Sequence, residues 1–298
     1  MFSIIIPMYN SERFLNQCFQ SIDQQHYMNY EVICVDDNSN DSTAEIVRKK
    51  CSEDNRYQYI KKETHTNAGD ARNLGLSYAT GDYVLFLDSD DYLHENILSV
   101  LREEIERTAA DITVFQYKLY YQNLKRESIP AFGVHINKKS IFCLNQLKTR
   151  KFEFTNIAVW NKLYKRSFIE QHSLRFKSYP ALNDVYFSWR SLISASSISL
   201  CKQIGVYYRV NQNTATSDKL IDNSKIFIDA FLDIYYYLVK MRIWEMYRFD
   251  FISATYRQIE EFESRLKKIS QSQTNFNYYK KRKQFLDELI NKGDINEQ

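Results

Sequence analysis

The sequence predicts an α/β fold, a mostly parallel sheet with helices on both faces and a helical appendage at the C-terminal end. Three observations predict it. Short apolar, β-branched runs alternate with amphipathic stretches over the first 117 residues. Those runs are apolar throughout rather than at every second position, as strands buried on both faces are. From about residue 222 the apolar positions take up a helical period to the end of the chain.

Residues 2–6 read as a buried strand. Asn10 or Ser11 can cap the helix that follows, where Phe14, Leu15, Cys18, Phe19 and Ile22 recur at helical spacing. Residues 30–35 form a second buried run. Ser42 with Glu45 three residues on has the form of a capping box, opening a helix that carries Ala44, Ile46 and Val47. A weaker strand follows at 57–60, then a helix at 68–79 with Gly81 as its stop. Residues 83–87 are a strong strand, 95–109 an amphipathic helix and 112–117 another strand. Between 118 and 221 the pattern loosens into short strands, aromatic clusters and polar loops, with a helix expected over 185–192. In the last region Phe227, Phe231, Ile234, Leu238 and Met241 share one side.

Composition narrows the class. With 298 residues, 44% hydrophobic and 26% charged, the chain suits one principal domain plus an appendage. Forty basic against 37 acidic residues give a net charge of +3, too balanced to imply nucleic-acid binding. Cys18, Cys34, Cys51, Cys143 and Cys201 are odd in number, widely spaced and without a CxxC pair, which speaks against a disulfide framework or a zinc site. The chain opens on a strand-like run without the pattern of a signal peptide, and no stretch approaches the ~18 apolar residues of a membrane span. A cytoplasmic protein is the expectation.

Four segments carry chemistry, and in a parallel sheet ligands gather at the carboxyl ends of strands. The first is Asp88-Ser89-Asp90-Asp91, three carboxylates in four residues after an apolar strand. Like charges so close call for a cation, and a hard divalent ion such as Mn²⁺ or Mg²⁺ prefers oxygen ligands. Strand-like alternation would point Asp88 and Asp90 the same way; the competing reading is a solvated acidic turn capping the next helix. The second is Asp36-Asp37-Asn38-Ser39, again acids after a buried strand, able to hold a base N–H or a ribose hydroxyl, or simply to form a turn. The third is Asn67-Ala68-Gly69-Asp70-Ala71-Arg72-Asn73: an Arg in the first turns of a helix suits a diphosphate, or pairs with a nearby carboxylate. The fourth is Pro7-Met8-Tyr9-Asn10, where Tyr9 could stack on a base. His26, His65, His94, His135 and His172 show no ligand spacing and read as structural or solvent-facing, His65 lying close to the diphosphate loop.

Taken together and in this order, these segments resemble the family 2 glycosyltransferases of the GT-A fold, which build bacterial surface polysaccharides. The matching stretches are Ile4-Ile5-Ile6-Pro7-Met8-Tyr9-Asn10, Val35-Asp36-Asp37-Asn38-Ser39, Ala71-Arg72-Asn73-Leu74-Gly75 and Phe86-Leu87-Asp88-Ser89-Asp90-Asp91-Tyr92-Leu93. Weaker matches continue at Trp160-Asn161-Lys162-Leu163-Tyr164, Asn183-Asp184-Val185-Tyr186-Phe187 and Tyr207-Tyr208-Arg209, and end near residue 220. The resemblance implies that Pro7 and Tyr9 line a nucleoside pocket, that Asp36 and Asp37 bind base or ribose, and that Arg72 approaches the diphosphate. It implies Asp90 as direct metal ligand, with Asp88 and Ser89 beside it supporting the metal or the donor. Asp184 stands where an inverting enzyme places its general base, although Asn183 replaces the usual Glu and Leu182 the usual Gly. Asp91, Trp160 and Lys162 are candidates for the acceptor side.

The implied division is a nucleotide-sugar-binding half at 1–117, an acceptor half at 118–221 and a helical region at 222–298. The implied activity is metal-dependent, inverting transfer from a nucleotide-sugar, in most members a UDP-sugar, to a saccharide or lipid-linked acceptor. Two alternatives stay open: a degenerate module that binds a nucleotide-sugar without turnover, and a nucleotidyltransferase, which the absence of Gly after strand one disfavours. In the tail, Tyr279-Lys280-Lys281-Arg282-Lys283 beside an aromatic-rich helix reads either as peripheral docking on an anionic membrane surface or as a helical subdomain packed on the core or on a second subunit.

Overall fold

The computed structural model describes residues 1–121, 126–128, 141–210, 220–269, 280, 281, 283–288 and 290. His135, Tyr279 and Arg282 lie outside them. In chain order the elements are β1 (Phe2–Met8), α1 (Glu12–Asp23), β2 (Tyr30–Asp36), α2 (Thr43–Glu53), β3 (Tyr57–Lys61), α3 (Ala68–Tyr78), β4 (Tyr83–Phe86) and β5 (Tyr92–Leu93). They continue with α4 (Ile97–Thr108), β6 (Ile112–Tyr121), β7 (Arg126–Ser128), β8 (Ile141–Phe142), β9 (Lys162–Lys165), α5 (Arg166–Gln171), α6 (Asn183–Ser194), β10 (Ile198–Arg209), α7 (Leu220–Lys240) and α8 (Trp244–Ile269).

The strands form one sheet in the order β3-β2-β1-β4-β9-β6-β10-β5, with β7 on β6 and β8 on β10. The run β3-β2-β1-β4 is parallel throughout, and β6 pairs parallel with β10. Between these blocks β9 lies antiparallel to both β4 and β6. The architecture is GT-A: a mixed α/β sheet, mostly parallel, with the additional C-terminal helices.

The continuous apolar runs are explained by burial on both sides. Along β1, Ile4, Ile6 and Met8 pack into one apolar cluster with Leu15, Cys18, Val32 and Leu101, while Ile5 joins Ile33, Val35 and Ala71 on the opposite face. Gly75 shows how tightly α3 is pressed on the sheet. A Cβ there would sit 2.4 Å from the Ile5 side chain, so the bare glycine permits the contact that sets the height of α3, and with it Arg72.

Two local expectations are corrected. Ser42 makes no side-chain cap on α2. Asp41 takes that place by accepting from the Thr43 N–H, while the Ser42 N–H donates to Glu12 on α1. In the tail, Met241 is exposed rather than buried with Phe227, Phe231, Ile234 and Leu238. The C-terminal helices pack on the catalytic body: Phe231 of α7 and Phe251 of α8 both meet Trp189 of α6. Lys283 of the basic run is paired with Glu263 at 2.9 Å. No described helix is long and apolar enough to cross a membrane, and all five cysteines are free.

Candidate active site

The carboxyl ends of β1, β2 and β4 open into one cavity of about 880 Å³, and the three segments expected there supply its floor: Pro7, Tyr9, Asp37, Asp88, Ser89 and Asp90. Its remaining wall comes from the α3 N-terminus, the 152–160 loop, the start of α6 and one side of α8.

At the nucleoside end Asp37 is fixed from three directions. The Thr66 N–H donates to it, Lys62 bonds it, and His65 Nδ1 lies 2.8 Å from Oδ2. The His65 ring also stacks on Tyr9, with centroids 3.9 Å apart, so His65 belongs to this wall. Asp36 does not. It is buried away from the cavity, where it accepts from the Ser39 N–H at 2.8 Å and the Tyr59 hydroxyl at 2.7 Å. Its work is to hold the turn that presents Asp37. Asn38 in that turn has φ of 65°, a left-handed geometry that asparagine tolerates.

Strand β4 ends at Phe86, and Asp88–Asp91 close a turn through the Asp91 N–H to the Asp88 carbonyl. The turn separates the three acids. Asp88 pairs with Arg72 Nη2 at 2.6 Å. Asp90 lines the cavity, and its carboxyl is pushed up to about 6, by burial first and by Asp88 second. Asp91 is buried off the cavity, accepting from the Arg209 N–H at 2.8 Å, and its carboxyl is raised far above the ordinary range by burial. An acceptor role for Asp91 does not fit this placement. Ser89 bonds Ser11 at 2.8 Å and ties the turn to the start of α1.

Arg72 is the centre of the site. Its buried guanidinium spans the cavity floor, giving Nη2 to Asp88 and Nη1 to Asp184 at 2.7 Å and to Asn183 at 2.8 Å. Asn183 thus uses its amide oxygen where the family usually carries a Glu. Leu182, in the position of the usual Gly, takes φ of 58° and bends the chain into α6. Gly69 is required on the facing side: a Cβ would lie 2.9 Å from both the Asn183 Cβ and the Lys177 carbonyl. Asp184 lines the cavity with its carboxyl raised by burial, an effect that the Arg72 charge opposes.

Of the acceptor candidates, Trp160 lines the cavity, stacked on Tyr208 with centroids 5.1 Å apart. Lys162 is buried beneath it. Its ammonium donates to the carbonyls of Asn156 and Ala158 at 2.6 Å and to Asn161 at 2.9 Å, and burial pulls it down to about 7. It shapes the 156–161 loop rather than facing a ligand.

Three further residues matter to which no role was assigned from the sequence. Arg209 at the end of β10 donates from Nε to the Asp90 carbonyl and lies over the Phe14 ring, so it braces the acidic turn. Glu153 and Arg257 both line the cavity and form a pair at 3.2 Å, joining the 152–160 loop to α8. The motif Tyr207-Tyr208-Arg209 was a signal for Arg209; nothing local marks the other two.

Among the described residues no three His, Cys, Asp or Glu side chains converge into a preformed cation cage. The donor set still fits a hard divalent cation. Asp90 and Asp88 beside it offer two carboxylates to the cavity, and a cation there would offset the burial and the Asp88 charge that raise Asp90.

A profile described as Glycosyl transferase family 2 matches residues 3–173, more than half of the chain. The chain belongs to glycosyl transferase family 2. Similar proteins agree with this. Glycosyltransferase GlyA of Streptococcus pneumoniae is 35% identical over 69% of this chain and 30% of its own length. Glycosyltransferase GlyG of the same organism is 30% identical over 63% of this chain and 60% of its own. The family 2 chain thus spans less than two thirds of either relative. Poly(ribitol-phosphate) beta-N-acetylglucosaminyltransferase TarS of Staphylococcus aureus is 27% identical over 70% of the chain and 35% of its own length. The crystal structure of S. aureus TarS 1-349 in complex with UDP-GlcNAc superposes with a TM-score of 0.68 at 22% identity, covering 91% of this chain and 73% of that one. That likeness establishes the GT-A fold.

Proposed function

We propose that this chain is an inverting glycosyltransferase that moves a sugar from a nucleotide-sugar, a UDP-sugar, to a saccharide or lipid-linked saccharide acceptor, with Mn²⁺ or Mg²⁺ held at Asp90 and Asp88. The observation that carries the reading is the Arg72 bridge, which fixes Asp88 and Asp184 on opposite sides of one guanidinium, at 2.6 and 2.7 Å. It sets a carboxylate suited to a base beside the acids suited to the cation that a diphosphate needs.

Each end of the cavity has a role in that reaction. Tyr9, His65, Pro7 and Asp37 receive the nucleoside, the ring by stacking and the base or ribose at the fixed carboxylate. Asp90 and Asp88 would hold the cation, which would supply charge neutralisation to the departing diphosphate. Arg72 acts through its partners, since its Nη atoms are engaged by Asp88, Asn183 and Asp184; it is a positioning residue more than a direct diphosphate ligand. Trp160 and Tyr208 offer an aromatic face to a sugar ring at the acceptor side. Asp184 takes the proton of the acceptor hydroxyl while that oxygen bonds to the anomeric carbon and the bond to the nucleotide breaks. Attack from the face opposite the leaving group inverts the anomeric centre. A lipid-linked acceptor would place the enzyme at the inner face of the cell membrane.

The test is a melting-temperature screen of UDP-sugars with and without Mn²⁺, in the native chain and in Asp90→Ala. A bound donor raises the melting point of the native protein. The expected outcome is a rise that needs both Mn²⁺ and a UDP-sugar and that is lost in Asp90→Ala. A metal-independent rise that survives the substitution would refute the metal assignment, and donor binding without any transfer would favour the non-catalytic binding module.

A further inference from the structure

Most large apolar side chains of this protein are buried, and the exposed ones are unevenly spread. Tyr236, Val239, Met241, Met246 and Phe249 are all exposed, Phe249 by 72%, Met241 by 52% and Met246 by 51%. All five lie at the hairpin where α7 ends, the chain turns at 241–243 and α8 begins. The opposite sides of the same helices are core: Leu238, Trp244, Tyr247 and Phe251 pack inward. The hairpin tip is therefore amphipathic across the turn. Among the described residues the rings of this group meet only their own helix neighbours, Tyr236 beside Tyr235 and Phe249 beneath Arg248, and such a group of exposed apolar side chains marks an interaction surface.

Its charge identifies the partner. Between residues 236 and 249 there are three cations, Lys240, Arg242 and Arg248, and one anion, Glu245, which pairs with Arg248 at 3.3 Å, so the positive excess is that of Lys240 and Arg242. The acids on either flank face the body instead: Asp233 pairs with Lys177 at 3.0 Å and Asp250 with Lys151 at 2.6 Å. Methionine, phenylalanine and tyrosine ringed by lysine and arginine is the chemistry of a segment that enters the headgroup layer of an anionic bilayer. A second copy of this chain would present the same cations to the tip.

We propose that the α7–α8 tip inserts into an anionic lipid surface, seating Met241, Met246 and Phe249 among acyl chains and Lys240 and Arg242 at the phosphates. This rests in part on the reading of the cavity as a glycosyltransferase site, because it supplies the route for a lipid-linked acceptor. Arg257, which lines the cavity, lies about 12 Å further along α8 from Phe249 at the ordinary helical rise. A membrane at the tip would thus stand close to the α8 wall of the cavity. Lys283 is at the other end of the helix, paired with Glu263, so the contact is placed at the turn and not there.

The full chain is to be sedimented with vesicles of phosphatidylcholine alone and of phosphatidylcholine mixed with phosphatidylglycerol. Binding is expected to the anionic vesicles and to weaken as salt rises. The double variant Met246→Ser/Phe249→Ser should lower the vesicle partition by about tenfold or more, because most of the apolar area to be inserted is gone. Both side chains are exposed and outside the catalytic machinery, so melting temperature and the donor-induced melting shift should stay as in the native chain. Absence of binding to anionic vesicles, or binding that the double variant leaves unchanged, would overturn the proposal. So would a dimer of the native chain, in sedimentation velocity, that the double variant dissolves, since the tip would then be covered by a second copy. Donor binding is read separately, so failure at the membrane and failure of the glycosyltransferase reading are told apart.

Discussion

The Arg72 guanidinium decides how the two halves of the site act on each other. It lowers the carboxyl of Asp184 that burial raises, so Asp184 titrates as a base held above the ordinary carboxylate range and kept from rising further by one neighbouring charge. The sign of the consequence is fixed. A general base works ionised, so turnover should grow as pH rises through the raised value of Asp184, with its acid limb above the ~4 of a free aspartate. Arg72→Gln removes the opposing charge and should move that limb to higher pH; a limb left in place would put the base elsewhere. Asp184→Asn should cut turnover by about two orders of magnitude or more while the melting shift given by a UDP-sugar survives. The sequence could place Arg72 at a helix start and acids after two strands, because local periodicity and turn chemistry set those features. It could not show that the guanidinium would be taken up by Asp88, Asn183 and Asp184, which lie up to 112 residues away. For the same reason the sequence could not separate the places of Asp36 and Asp37: the fold buries both, and only Asp37 lines the cavity.

At the level of elements, the strands whose partners follow a βαβ order were legible: β1, β2, β3 and β4 are parallel neighbours with helical crossovers, marked by buried runs in β1, β2 and β4 and by a weaker one in the edge strand β3. Strand β9 was not. It enters antiparallel between β4 and β6, and a four-residue strand chosen by partners from distant parts of the chain leaves no periodic mark. Helix starts were legible in position but not in chemistry, as the exchange of Ser42 for Asp41 at α2 shows. The junction of α3 and α6 is the element contact on which the site depends. The N-terminal turn of α3 approaches the 177–183 loop so closely that only glycine fits at 69. Gly69→Ala should cost about 1–3 kcal/mol of stability, the usual range for overpacking, read by urea unfolding. It should lower turnover by more than an unrelated variant of equal stability, because the displaced α3 carries Arg72 away from Asp184. Equal losses in both would show that the contact serves folding alone.

Across the whole molecule, the C-terminal helices and the sheet share a core. One apolar cluster runs from Ile5, Val35 and Phe86 through Phe187 and Trp189 to Phe231, Phe251 and Phe262, so the face of the sheet that carries α3 and α6 is closed by α7 and α8. Trp189 and Ala254 belong to this cluster and also line the cavity, which makes the helical region a wall of the site as well as its support. Phe231→Ala tests how far that unity goes. The ring is fully buried against Trp189 and Phe227, and truncating such a phenylalanine usually costs about 3–5 kcal/mol. If the cluster is one cooperative unit, the whole chain loses that stability. Far-UV circular dichroism and tryptophan fluorescence should then report one coincident transition, since Trp160 sits in the opposite cluster from Trp189 and Trp244. A UDP-sugar should raise that single transition. Two separated transitions in the variant, with the donor protecting only one of them, would instead make the helical region an independently melting attachment, and the cavity wall it supplies would open without unfolding the sheet.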